Sequence, residues 1–194
     1  CAHIAPDLFS DLGAEVLTIG VAPSGTNIND GCGSTHLDGL RQLVRREGCD
    51  IGIAFDGDAD RMLAIDETGD PVDGDVIMAI VALDMMHSGQ LRDNTLVVTV
   101  MSNLGLDIMA QEKGLNLVKT KVGDRYVLEE MLKSGYSLGG EQSGHIILLE
   151  HSTTGDGMLS ALRLLRALTE RGEKLGQARK VMQVLPQVLK SARI

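Results

Sequence analysis

Tryptophan is absent from the 194 residues, and only two phenylalanines and two tyrosines occur. So sparse an aromatic set argues against the stacking platforms on which proteins lay single-stranded nucleic acid, and equally against an aromatic floor for sugars. Positive charge is short as well: 18 lysines and arginines against 27 aspartates and glutamates leave a formal net charge of −9. A chain that acidic lacks the basic face that nucleic acid or an anionic membrane requires. Cys1, Cys32 and Cys49 show no C-x-x-C spacing and read as free thiols or small buried groups in a reducing compartment, the cytoplasm. No apolar run nears the ~20 residues that cross a bilayer, since the longest candidate, VIMAIVALDMM, is interrupted by Asp84. The residues from Cys1 onward do not read as a basic-then-apolar leader either.

What is present is an alternation of strand-like and helix-like segments, the pattern of an α/β fold. A short helix closed by Gly13 precedes a strand over AEVLTIGV (14–21). Leu37, Leu40, Leu43 and Val44 have helical spacing over 37–48, with Ser34 or Thr35 as the expected N-cap and Gly48 as the stop. The apolar run CDIGIAF (49–55) has the pattern of a buried parallel strand. A strand–turn–strand over 61–74 and a helix over 75–89 follow. The order then repeats: strand 95–100, helix 104–114, strand 116–122, helix 124–135, two strands around a Gly-rich turn over 136–150, and a long amphipathic helix over 156–172 with a shorter one near 174–182. Two such rounds predict two similar three-layer α/β/α domains with mixed, mostly parallel sheets, residues 1–89 and 90–194. The nine methionines fall mostly at helical spacing, where they fill core.

One stretch is electrostatically costly. FDGDADR (55–61) places Asp56, Asp58 and Asp60 at alternate positions and ends them with Arg61. Neighbouring carboxylates repel by roughly 1 kcal/mol per pair in water and about 4 where water is partly excluded. In an extended segment, residues two apart point the same way, so the three can converge on a cation. They follow an apolar strand directly, and open α/β sheets bind ligands beyond the carboxyl ends of their strands. Three hard oxygen donors suit Mg²⁺, which keeps positions for water or phosphate. Arg61 makes sense if phosphate takes one of those, since a guanidinium forks onto phosphate oxygens. Two rivals stand beside this reading. One is a solvated acidic turn. The other is a calcium loop, which Asp56, Asp58, Asp60 and Glu67 fit by spacing but which needs glycine where Arg61 stands.

DGDADR, KVGDRYV and GGEQSGHII, in this order, resemble the α-D-phosphohexomutase family, and NINDGCGSTH (27–36), GEQSGH (140–145) and TTGDG (153–157) are similar to its branch acting on glucosamine phosphates. The resemblance covers the chain but only the middle two of the family's four domains. It implies an isomerase that interconverts glucosamine 6-phosphate and glucosamine 1-phosphate through a bisphosphorylated sugar, on the way to UDP-N-acetylglucosamine and cell wall. By the same resemblance Asp56, Asp58 and Asp60 hold one Mg²⁺, completed by a phosphoserine oxygen, and Arg61 contacts that phosphate. Glu141 and Ser143 resemble the family's sugar-hydroxyl readers, on a loop that also includes Gly144. His145 is either a structural neighbour of that loop or a substrate contact. Asp124 and Arg125 open a helix where a phosphate can sit, or are ordinary helix-start charges. Ser102 and Asn103 read as caps, His36 as a local hydrogen-bonding residue, and TTGDG as a helix-start turn. The implied partners are a small sugar phosphate and the N- and C-terminal domains of the same polypeptide, with a homodimer left open.

Departures from the family pattern matter. The serine-bearing nucleophile loop and the C-terminal phosphate loop have no counterpart here. The Gly-containing loop expected after Cys-Ala is missing, as if residues were lost between Ala2 and His3. Ala59 stands where glycine is common, which excludes easy positive φ. Gln142 stands where mannose- and glucose-phosphate relatives commonly carry methionine, favouring the amino sugar over phosphomannomutase or phosphoglucomutase activity. A non-catalytic metal- or sugar-phosphate-binding segment is the remaining alternative.

Overall fold

A computed structural model describes residues 1–188 and Lys190; the last residues of the second expected unit lie outside the described residues. The first element is α1 (Ile4–Asp11), whose first amides bond back to the Cys1 carbonyl. α2 (Asp38–Glu47) leads into the hairpin β1 (Ile51–Phe55) and β2 (Met62–Asp66), which continues to β3 (Pro71–Val72). This first sheet has the order β1-β2-β3 and is antiparallel throughout, so β1 is not the parallel strand that its apolar run suggested. Burial on both faces produces that run whatever the strand direction. Here α2 covers one face while α3 (Gly74–His87) and α6 (Gly157–Arg171) cover the other.

The second sheet has the order β5-β4-β6-β7. β4 (Thr95–Thr99) lies parallel to β5 (Asn116–Thr120) and to β6 (Leu138–Gly140), and β7 (Ile146–Leu148) is antiparallel to β6. Alternation sorts its side chains. Leu96, Val98, Ile146 and Leu148 face the main core, while Val97 and Ile147 turn to a smaller one with Val127 and Met131 of α5 (Asp124–Ser134). α4 (Leu104–Lys113) and α7 (Leu175–Ala178) complete the set. The protein is therefore α/β, and its parallel pairings lie in the second sheet.

α3 sits between the sheets and is apolar all round, which a helix tolerates only when it is surrounded. Every residue from Gly74 to Met85 is buried. Ile77, Met78, Ile80 and Met85 are fully enclosed, each contributing about 2 kcal/mol by burial. Met62, Ala64 and Val72 of the first sheet and Leu96 and Leu138 of the second join one continuous cluster around it. No helix among the described residues is long and apolar enough to cross a membrane.

Two expectations fail locally. Residues 14–21 form no strand: Leu17 and Ile19 are exposed, and β propensity without a partner ladder does not make a strand. α2 begins after Leu37 with no side-chain cap, rather than from Ser34 or Thr35.

The start of α3 carries a titratable group. Asp73 caps the helix by accepting from the Val76 amide at 3.1 Å. Asp75 is wholly buried; one of its oxygens accepts from the Asn103 amide at 2.7 Å and the other has no hydrogen-bond partner among the described residues. Burial, aided by the Asp73 charge, pushes the Asp75 carboxyl up to about 6, against the pull of the Asn103 amide. The folded state thus holds this proton more tightly than the unfolded chain. Its contribution is complete below the ordinary aspartate range and is lost as pH rises through about 6. At about 1.4 kcal/mol per pH unit the effect amounts to about 3 kcal/mol. Asp75→Asn is expected to flatten the stability profile between pH 4 and 6 and to raise stability at pH 8 by up to about that much. Denaturant unfolding across pH tests this, and a variant with the wild-type slope refutes it.

Candidate active site

The aspartate loop is the tip of the β1–β2 hairpin. One carboxylate oxygen from each of Asp56, Asp58 and Asp60 lies within 4.8 Å of the others. They converge through a turn rather than through extended alternation: the Ala59 amide bonds the Asp56 carbonyl at 3.2 Å, and the Arg61 amide bonds Asp56 Oδ1 at 3.2 Å. Ala59 adopts φ +61°, the left-handed conformation that its side chain was expected to exclude. That costs about 1–2 kcal/mol, which its surroundings must supply. Part of the restraint comes from the Gly157 amide, which donates to the Ala59 carbonyl at 2.9 Å.

Electrostatically the loop is unbalanced. Burial and the like charges of Asp60 and Asp58 push the Asp56 carboxyl above its ordinary range, and the Arg61 amide only partly offsets this. The Arg61 Nε lies 3.7 Å from Asp56 Oδ2 and 3.8 Å from Asp60 Oδ1, too far for close pairing, and its side chain is nearly half exposed. Asp60 Oδ1 is buried with no hydrogen-bond partner among the described residues. An orphaned carboxylate oxygen beside two more fits a hard divalent cation, which prefers oxygen donors at about 2.0–2.1 Å.

The Gly-rich hairpin β6–β7 docks against this loop. The Met62 amide bonds the Gly144 carbonyl at 3.1 Å, and Arg61 and His145 form an antiparallel bridge. Gly144 has φ +93°, and a Cβ there would overlap the Met62 carbonyl. His145 is 3% exposed. Its Nδ1 lies 2.9 Å from Asp60 Oδ2, and its Nε2 accepts from the Gly155 amide at 3.0 Å. Ser143 is exposed at the tip. Glu141 Oε1 accepts from the Gly123 amide at 2.9 Å, which ties it to the start of α5.

Not every expected residue joins the cluster. Asp124 is exposed in the first turn of α5, and the Arg125 guanidinium lies along that helix on Glu129 at 2.7 Å. Gln142 donates to Asp73 Oδ2 at 3.1 Å and thus faces the α3 cap. Asn103 caps α4, His36 is exposed, and Asp156 caps α6 by accepting from the Leu159 amide. The TTGDG turn does more than begin a helix. A Cβ at Gly155 would lie 2.6 Å from the Asp60 carbonyl, and one at Gly157 would lie 2.7 Å from that of Arg61. Ile28 and Asn29 of NINDGCGSTH lie close over Gly57. Glycine spacing hinted at these approaches without naming what approaches.

Comparison with known proteins gives the arrangement a lineage. Residues 2–69 match the family model for phosphoglucomutase/phosphomannomutase alpha/beta/alpha domain II, and residues 73–185 match that for domain III. The phosphoglucosamine mutase of Acetivibrio thermocellus is 60% identical over 192 residues, 99% of this chain and 43% of that protein. Its counterpart in Ruminiclostridium cellulolyticum is 60% identical over 190 residues, 98% of this chain and 42% of that one. The chain thus spans a little over two fifths of these relatives. Among solved structures, a putative phosphomannomutase from Thermus thermophilus superposes with TM-score 0.69 at 27% identity, over 75% of this chain and 33% of that one. A phosphoglucomutase/phosphomannomutase family protein from Burkholderia thailandensis superposes with TM-score 0.81 at 23% identity, over 95% and 40%.

Proposed function

Because this chain belongs to the phosphoglucomutase/phosphomannomutase family, as its domains II and III, we propose that it supplies the cation site and the sugar-reading loop of an isomerase that interconverts glucosamine 6-phosphate and glucosamine 1-phosphate. The observation that carries this reading is the convergence of Asp56, Asp58 and Asp60, with an unpartnered buried oxygen, on a loop joined to the Glu141–Ser143 hairpin. Identity of 60% to phosphoglucosamine mutases supports the amino sugar.

In this reading Asp56, Asp58 and Asp60 hold one Mg²⁺, which when bound supplies charge stabilisation to a phosphoryl group in transfer. Arg61, uncommitted to a close ion pair, swings its guanidinium onto the same phosphoryl oxygens. Glu141 accepts from a sugar hydroxyl and Ser143 donates to or accepts from its neighbour. Arg125, at the open end of α5 beside the Glu141 contact, receives the distal phosphate by a turn of its side chain away from Glu129, while Asp124 serves as a helix-start charge. Residues 1–89 contribute the metal loop and residues 90–194 the reader loop. The phosphoserine donor belongs to other domains of the same polypeptide. The setting is cytoplasmic, the sugar 1-phosphate feeds UDP-N-acetylglucosamine, and nucleic acid and membrane are not partners.

A coupled assay on the full-length protein tests the substrate. Glucosamine 1-phosphate is expected to turn over at least about tenfold faster than mannose or glucose 1-phosphate, measured as kcat/KM. Equal rates for the three would refute the amino-sugar assignment and leave a broader phosphohexomutase.

A further inference from the structure

From its backbone and side-chain contacts we infer that Gln142 is a positioning residue of the reader loop, latching the Glu141–Ser143 turn to the cap of α3 through Asp73; this rests on the reading of Glu141 and Ser143 as sugar contacts. The turn is tight, since the Gly144 amide donates to the Glu141 carbonyl at 3.0 Å. Gln142 and Ser143 are its two central residues, and their side chains part company. Ser143 is exposed, whereas Gln142 is half-buried and faces the start of α3.

The latch has a backbone part and a side-chain part. The Gly74 amide donates to the Gln142 carbonyl at 2.9 Å, and Gln142 Nε2 donates to Asp73 Oδ2 at 3.1 Å. The side-chain amide must turn its nitrogen this way, because an ionised carboxylate only accepts. The other Asp73 oxygen is already committed to the Val76 amide at 3.1 Å. One carboxylate therefore joins a helix cap to a loop 69 residues away. The helix behind the cap is buried from Gly74 to Met85, so the turn is anchored to the most enclosed element of the protein. Gly74 permits the approach: a Cβ there would overlap the Glu141 carbonyl and lie 2.7 Å from the Gly144 nitrogen. Glu141 itself reaches the start of α5 through the Gly123 amide. The Ser143 hydroxyl has no hydrogen bond of its own among the described residues, so its place is set by these neighbours. A turn flanked by Gly140 and Gly144 would drift without them. Misplacing groups that grip non-reacting hydroxyls removes binding from ground state and transition state alike, which raises KM and spares kcat.

Variants of the full-length protein test the latch by breaking and remaking it. Gln142→Glu sets two carboxylates face to face and is expected to raise KM for glucosamine 1-phosphate about tenfold, with kcat within about threefold of wild type. Adding Asp73→Asn restores a donor opposite an acceptor, and asparagine still caps α3 through its oxygen. The double variant is expected to return KM to within about threefold of wild type. Gln142→Met keeps the length of the side chain without the donor, and should raise KM at least about threefold. It carries the test if Gln142→Glu does not fold. A role in stability alone would lower the melting temperature and leave KM unchanged, which overturns the inference, as does a double variant no better than Gln142→Glu. Ser143→Ala separates the two readings. If it leaves KM unchanged, Ser143 does not read the sugar and this inference falls with that assignment. If it raises KM while Gln142→Glu and Gln142→Met do not, the latch alone is refuted. Amide exchange in the unliganded protein supplies an independent check: the Gly144 amide is expected to exchange at least about tenfold faster in Gln142→Met, and an unchanged rate refutes the latch.

Discussion

Asp58→Asn in the full-length protein is expected to reduce turnover about a thousandfold while leaving the fold intact or slightly more stable. The two effects have opposite signs for one reason. Asp58 is exposed, so its loss empties no core, and it removes a charge that helps to push the Asp56 carboxyl up. Losing the charge stabilisation that acts on a phosphoryl group in transfer costs rate on the scale of about 10²–10³. A cation that binds only the folded state stabilises it by about 2.7 kcal/mol at a hundred times its dissociation constant. Wild type should therefore gain thermal stability from added Mg²⁺ and Asp58→Asn should not. Steady-state kinetics and melting curves with and without Mg²⁺ check both halves. Near-normal turnover in a variant blind to Mg²⁺ would rule the cation out of catalysis.

Gly144→Ala is expected to have the largest effect on folding, about 3 kcal/mol. Left-handed backbone at φ +93° costs an alanine about 1–2 kcal/mol. Its methyl must also displace the Met62 carbonyl, which belongs to β2 and is not the end of a flexible side chain. For a chain of this size that corresponds to a fall in Tm of roughly 6–12 °C. The hydrogen bond that seats the reader hairpin beside Arg61 would be strained at the same time, so Mn²⁺ affinity should fall with stability. Differential scanning calorimetry decides the first part, and an unchanged melting temperature contradicts it.

The elements of the second half were readable because their signals are local. Gly114 and Gly135 end α4 and α5 in left-handed conformation as stop signals should. The amphipathic spacing marks α6 as a helix, although its buried face runs through Ser160, Ala161, Leu164, Ala167 and Leu168 while Leu159, Leu162 and Leu165 are only partly buried. The aspartate triplet announced itself through unbalanced charge. What composition and periodicity do not encode is which segment meets which. The apolar run at 49–55 indicated burial but not antiparallel pairing with 62–66, and residues 14–21 had the composition of a strand but no ladder to join. Ala59 argued against the conformation it adopts, because the Gly157 amide that helps to hold it lies 98 positions further along the chain. Nothing in the sequence signalled that the Gln142 side chain would lie against Asp73. The partner of His145 had no sequence signal at all.

α3 has an implication for protein engineering. Because its side chains complete the packing of both sheets, a crossover placed beside it in a gene chimaera would join halves whose interior surfaces evolved apart. Shuffling with family relatives should therefore exchange both sheets and the helix between them as one cassette, and the Glu141–Ser143 tip, whose backbone packs on Gly74 at the start of that helix, belongs in it.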